Sequence, residues 1–228
     1  IVYRRSNGVD SYIWLTRLNS EGTVVTGATP ISDSGHDALS PQIAIDPNNV
    51  STVVWQRSNG SNILVQSARV DSAGTSTAPV DVSDPGFDTQ GAVVGVAPSG
   101  IATVAWTYFN GSNQVVQTRP ISAFGAPLGS PIDLSAAGRD AENVGVAVGA
   151  DGSATVVWQR SNGLNTVAQA RQINSGGVPS PTTLNASESG RDASNPRVVV
   201  ASSGVATVVW LRQSNVGFYS IVQARQIA

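Results

Sequence analysis

Three observations predict an all-β fold built as a tandem array of four-stranded units. One motif returns at a step of about 52 residues. Each step is filled by short Val- and Ile-rich runs bounded by Gly, Pro, Asn and Asp, the mark of strands and tight turns. No window carries the 3.6-residue apolar period of an amphipathic helix.

Repeats govern the rest of the reading. Thr52-Val53-Val54-Trp55-Gln56-Arg57-Ser58-Asn59-Gly60 returns as Thr155-Val156-Val157-Trp158-Gln159-Arg160-Ser161-Asn162-Gly163. Looser copies are Thr103-Val104-Ala105-Trp106 and Thr207-Val208-Val209-Trp210-Leu211-Arg212, and a clipped copy opens the chain at Ile1-Val2-Tyr3-Arg4-Arg5. The aromatic column Tyr3, Trp55, Trp106, Trp158 and Trp210 advances by 52, 51, 52 and 52 residues. A second column, Gln66, Gln117, Gln169 and Gln223, keeps the same step, with Trp14 at the first position. A third runs Leu18, Val70, Ile121, Ile173 and Ile227.

Each unit reads as strands a to d, represented by Gln42–Asp46, Thr52–Arg57, Ile63–Val70 and Val80–Ser83. The a–b turn places Gly100, Gly152 and Gly204 at one position and Asn49 at the fourth, which predicts a backbone site of positive φ. Asn-Gly at Asn7-Gly8, Asn59-Gly60, Asn110-Gly111 and Asn162-Gly163 predicts the b–c hairpin. Four antiparallel strands repeated about five times make a β-propeller, with five blades and one incomplete blade at the termini. The units fall at approximately 1–39, 40–90, 91–142, 143–194 and 195–228, within a single repeat domain over 1–228. At about 52 residues per unit, 228 residues hold about 4.4 units, so 18 strands of a 20-strand ring are expected. One strand d and one strand a fall between the ends. The expectation is a piece of a longer array, imperfect closure, or a gap filled by something else.

The Val-Val-Trp-Gln-Arg and Val-Gln-Ala-Arg repeats resemble those of secreted bacterial propeller-like proteins. The WD40 Gly-His and Trp-Asp pair, the kelch double Gly and the sialidase Asp box do not occur. The resemblance spans the chain and implies architecture rather than activity.

Composition narrows the chemistry. The chain contains no Cys, no Met and one His, and all 13 basic residues are Arg. No thiol nucleophile, disulfide or Cys-ligated zinc is available. The absence of Lys removes Schiff-base and P-loop chemistry. Charged residues make up 12%, against roughly 25% in an average domain, and the net charge is −2. That balance does not suit nucleic acid. No apolar run approaches the roughly 20 residues of a membrane-spanning helix. No cofactor and no metal site are expected. A surface of Ser, Thr, Asn, Gln and Gly suggests an extracellular or cell-surface setting.

Strand order puts the d–a loops and b–c turns on one face. The d–a loop repeats Gly35-His36-Asp37, Gly86-Phe87-Asp88, Gly138-Arg139-Asp140 and Gly190-Arg191-Asp192. The b–c side adds Arg5, Arg57, Tyr108, Arg160 and Arg212. These Asp and Arg columns have two readings. They cap loops and pair across blade junctions, or they cradle a hydroxyl-rich ligand through charge-assisted hydrogen bonds. The aromatic column reads as inter-blade core, each Trp N–H finding one partner, and the strand-c Gln residues as bonded across blades. Trp14, Tyr108-Phe109 and Phe218-Tyr219 depart from their columns. His36 is the one His and has no repeated partner set. A Ser-His-Asp triad would rest on His36 alone, and repeated Asp residues do not resemble the single unequal pair that glycoside hydrolysis uses.

The functional expectation is a non-enzymatic binding module with lectin-like carbohydrate recognition in repeated shallow pockets. The alternative is a structural, adhesion or protein-interaction repeat of a larger cell-surface or secreted protein. Its partners would be a carbohydrate or another surface protein.

Overall fold

The computed structural model describes residues 1–214 and 219–227. They form 18 strands in five antiparallel sheets, a β-propeller with no helix among the described residues, and so none able to cross a membrane. The first blade contains β1 (Val2–Ser6), β2 (Ser11–Leu18) and β3 (Val24–Pro30). The second contains β4 (Ala38–Ile45), β5 (Ser51–Ser58), β6 (Ile63–Val70) and β7 (Val80–Asp81). The third runs β8 (Thr89–Val96), β9 (Ala102–Phe109), β10 (Gln114–Ile121) and β11 (Ile132–Asp133). The fourth runs β12 (Ala141–Val148), β13 (Ala154–Ser161), β14 (Thr166–Ile173) and β15 (Leu184–Asn185). The fifth has β16 (Ala193–Val200), β17 (Ala206–Gln213) and β18 (Ser220–Ile227). The three middle blades carry all four strands, the first has the b, c and d strands, and the last has a, b and c.

The turns follow their residues. Asn49, Gly100, Gly152 and Gly204 all take positive φ, between 61° and 84°. The Asn-Gly loops are longer than a two-residue hairpin. Asn59 Oδ1 accepts from the N–H groups of Ser61 and Asn62, while Gly60 takes the positive φ. Asn7, Asn110 and Asn162 repeat the arrangement.

The core lies between blades. Four apolar clusters occupy the four junctions between consecutive sheets. Trp55, Trp106, Trp158 and Trp210 each sit in the cluster facing the preceding blade, and all four rings are buried. Burying rings of this size supplies much of the inter-blade adhesion. Trp158 Nε1 donates to Gln169 Oε1 at 3.0 Å, while the indole N–H groups of Trp55, Trp106 and Trp210 have no partner.

Polar columns lace the strands together. The hydroxyls of Ser32, Ser83, Ser135 and Ser187, all buried, accept from the N–H groups of Ile13, Val65, Val116 and Ala168 at 2.9–3.0 Å. They extend the c–d ladder beyond the d strands, which are two residues long in the three middle blades. The strand-c Gln residues bond within their own blade, not across blades as expected. Gln66 and Gln117 donate to Asp81 and Asp133, and Gln169 donates to Asn185. Side-chain alternation brings these c and d residues onto one face of their own sheet.

Strand-c arginines tie neighbouring blades in two directions. Arg17 donates to the carbonyl of Asp71 in the second blade, and Arg69 to that of Gly100 in the third. Arg119, Arg171 and Arg225 sit one position earlier in the repeat. They reach back to carbonyls at or just after the d strands of the preceding blades, those of Val82, Leu134 and Asn185. Arg69 is buried, donates to Thr52 Oγ1 at 2.6 Å and lies 3.5 Å from the buried Asp46 carboxylate.

Candidate functional site

The innermost strands carry a shared irregularity. In β4, β12 and β16 the register against strand b shifts between Leu39 and Gln42, Glu142 and Gly145, and Ser194 and Arg197. In β8 it shifts between Gln90 and Val93. Each shift is a β-bulge with one left-handed residue, at Ser40, Gly91, Asn143 and Asn195, with φ of 51–63°. Asn and Gly reach this region at the lowest cost. A bulge re-aims the neighbouring side chains.

Four bulges converge on a pocket of about 580 Å³ along the propeller axis, at the end of the inner strands where the d–a loops and b–c turns lie. Its polar lining comes from Ser40, Gln42, Gln56, Gln90, Thr107, Glu142, Asn143 and Arg197, drawn from blades two to five. Gln56 Nε2 donates to the Thr89 carbonyl and Thr107 Oγ1 to the Gln90 carbonyl, so these two side chains are held in place. Arg197 Nη1 donates to the Pro196 carbonyl, and no ion pair joins Arg197 to Glu142. Glu142 is the one carboxylate among the lining residues. The pocket offers amide and hydroxyl groups, one cation and one group able to transfer a proton. That inventory suits a polyhydroxylated ligand.

None of the repeated Asp and Arg residues lines this pocket. Asp37, Asp88, Asp140 and Asp192 lie on the same face but are occupied across blade junctions. Each carboxylate accepts at 2.8 Å from the N–H that opens strand c of the preceding blade, at Ser11, Ile63, Gln114 and Thr166. Among the described residues, no ion pair joins the Asp and Arg columns. Arg57 instead donates to the Ser34 carbonyl and lies 3.7 Å from Asp33. Arg160 donates to the carbonyls of Ala136 and Ala137, and burial together with nearby Arg139 lowers its pKa. Arg5 stacks over Trp14, its Cζ 5.1 Å from the ring centroid. Arg212 pairs through its backbone with Ala193. Tyr108 donates to Asp133 and meets Phe87 edge-on at 5.4 Å. Burial first, and then Asp133, raises its pKa. His36 lies beside the Gly60 turn, whereas Phe87, at the same position of the next repeat, meets Tyr108 instead. Tyr3 is half-buried in β1, and Phe218 lies outside the described residues.

Glu142, Arg197, Gln42 and Gln90 were not singled out by the repeat because they break it. Their columns read Leu39, Gln90, Glu142, Ser194 and Gln42, Val93, Gly145, Arg197. The bulge itself had a signal, since Ser40, Gly91, Asn143 and Asn195 share a column of residues tolerant of positive φ.

No protein-family model matches the chain, and no curated protein matches it by sequence. Its fold is similar to several solved structures. One is the GH93 α-L-arabinofuranosidase of Fusarium graminearum in complex with arabinobiose, with a TM-score of 0.57, 6% identity, and 86% of this chain and 65% of that chain covered. Another is the Penicillium chrysogenum α-L-arabinanase complexed with arabinobiose, with a TM-score of 0.56, 11% identity, and 83% and 62% covered. A third is a Dyadobacter fermentans protein of unknown function, with a TM-score of 0.51, 10% identity, and 97% and 85% covered. The chain thus spans just under two thirds of the length of the arabinofuranosidase and of the arabinanase. At these identities the likeness is one of fold. The expectation of a non-enzymatic module, lectin-like or adhesive, is corrected by these comparisons, because the propellers that the fold matches include glycan-cleaving enzymes.

Proposed function

We propose that the chain is a glycoside hydrolase whose substrate enters the central pocket. The observation that carries this reading is Glu142, a single carboxylate set by a bulge among hydroxyl-binding side chains. In this scheme Glu142 gives its proton to the leaving glycosidic oxygen. Gln42, Gln90, Asn143 and Arg197 hold the sugar hydroxyls. Hydrolases of this kind commonly use two carboxylates. With one in the lining, Glu142 acts twice: after the leaving alcohol has taken its proton and the glycosidic bond has broken, its carboxylate takes a proton from the water whose oxygen bonds to the anomeric carbon. The fold likeness to an arabinofuranosidase and an arabinanase makes pentose polymers the first substrates to try. An extracellular or cell-surface setting and a secreted bacterial source fit this reading, supported by the Lys-free polar surface and the repeat sequence.

The test is a reducing-sugar assay on arabinan, galactan and sialylated glycans. Turnover that falls by at least about 100-fold in Glu142→Gln, with thermal stability kept, is the expected result. Full activity in Glu142→Gln, or no turnover of any glycan, overturns the reading.

A further inference from the structure

We infer that the groove between the third and fourth blades is a receptor site for an arginine side chain of a partner polypeptide. It lies where the a–b turns and c–d loops meet, away from the central pocket and from Glu142. The two junctions before it show what belongs there, because the chain fills the same place with an arginine of its own.

Between the first and second blades that arginine is Arg17. Its Nη1 donates to the carbonyls of Asp71 at 2.9 Å and Asn49 at 3.4 Å. Between the second and third it is Arg69, whose Nη1 donates to Thr52 Oγ1 at 2.6 Å and to the Gly100 carbonyl at 2.8 Å. The next copy of this position is Pro120. Its ring stands where the arginine stem stands. A Cβ added to Gly177 would meet Pro120 Cγ at 3.1 Å, and one added to Gly125 would meet Arg69 Cγ at 3.1 Å. The ring ends there, and no guanidinium follows. Arg119 does not stand in for it, because strand alternation turns that residue to the other face of its sheet, toward the Val82 carbonyl of the second blade.

The groups that would meet the guanidinium are still present. Thr103 repeats Thr52, Gly152 repeats Asn49 and Gly100, and Asn174 repeats Asp71. All three line, with Pro120, a groove of about 510 Å³. Among the described residues, no hydrogen bond engages the Thr103 hydroxyl or the Gly152 carbonyl. Carbonyls only accept and a guanidinium only donates. The carboxylate beside Arg69, Asp46, is replaced by Ala97 at this junction. Arg17 shows that carbonyls suffice, since it takes part in no ion pair among the described residues. The remaining walls are apolar. Leu128 and Ile132 of the third blade and Val178 of the fourth are 40%, 38% and 60% exposed. They suit the methylene stem of an arginine and the apolar neighbours of a chain that carries it, so the occupant is a polypeptide rather than a free guanidinium compound.

The experiment titrates the acetylated, amidated tripeptide Leu-Arg-Leu into the whole protein. It is read by calorimetry and by the amide NMR signals of Thr103, Gly152 and Asn174. The controls are the same peptide with citrulline in place of arginine, and acetyl-arginine amide alone. The expected result is binding at least about tenfold tighter than either control, with signal shifts at those three residues. Pro120→Arg puts the chain's own guanidinium in the groove and should abolish binding. Thr103→Val keeps the shape, removes one acceptor and should weaken binding about fivefold. Both variants should keep the wild-type circular dichroism spectrum. Equal binding of the citrulline peptide, unchanged binding in a folded Pro120→Arg or Thr103→Val protein, or no binding at about 10 mM peptide overturns the inference. Equal binding of acetyl-arginine amide overturns it in favour of a free guanidinium compound.

Discussion

Asp88 in the third blade accepts a 2.8 Å hydrogen bond from the backbone N–H of Ile63 in the second, across the junction between them. The same bond recurs at three other junctions, from Ser11 to Asp37, Gln114 to Asp140 and Thr166 to Asp192. Asp88→Ala should cost about 1 kcal/mol and lower Tm by roughly 2–4 °C. Asp88→Asn keeps an acceptor oxygen and should cost less. Differential scanning calorimetry of both variants checks the order, and a larger loss in the Asn variant would show that charge, not geometry, matters here.

The left-handed residue of β12 gives a different expectation. Asn143 adopts φ of 54° beside Glu142. A β-branched residue there carries strain of about 1–3 kcal/mol. Asn143→Val should therefore destabilise the fold and displace Glu142, while Asn143→Gly should hold stability. Urea unfolding ranks the two, and the reading of the bulge fails if Val is tolerated as well as Gly.

Arg69 is buried against Asp46, with burial lowering its pKa and Asp46 partly restoring it. Removing one member of such a pair leaves the other charge stranded. Arg69→Ala and Asp46→Ala should each cost about 3–5 kcal/mol. The double variant should lose less than their sum. Additivity in a double-mutant cycle would show that the 3.5 Å approach contributes nothing.

Tyr108 links stability to pH. Its pKa is raised in the folded protein by burial and by Asp133. The stability tied to its neutral phenol is therefore complete below the unfolded value of about 10 and is lost as pH rises through the folded value. Tyr108→Phe should flatten the fall in stability above about pH 10 relative to the wild-type chain. Parallel alkaline slopes in the two proteins would refute the link.

The architecture was legible because structure in a repeat protein is periodic. Trp55, Trp106, Trp158 and Trp210 return at one step because each meets the same neighbour at the same junction. The Asp column returns for the same reason, so its periodicity points to the bonds between blades rather than to a unique centre. The direction of the Gln bonds was not legible. Periodicity locates a column but not which adjacent strand shares its face, and d strands of two residues give little pattern to read. The pocket was hidden for the opposite reason. Glu142 and Arg197 occur once, in columns that otherwise hold Leu, Gln, Ser, Val or Gly, and only the bulges bring them to one space. In such a chain the departures from the repeat are the better guide to a site.

The arginine ties have an uneven distribution. Arg69 reaches from the second blade to the third and Arg119 reaches back from the third to the second, so this junction is cross-linked both ways. The others carry one tie each, from Arg17, Arg171 or Arg225. A disc held this way comes apart from its rim inward. The outer blades fray first, and the second and third survive longest as a two-blade kernel, the last sheets whose amides would exchange with solvent.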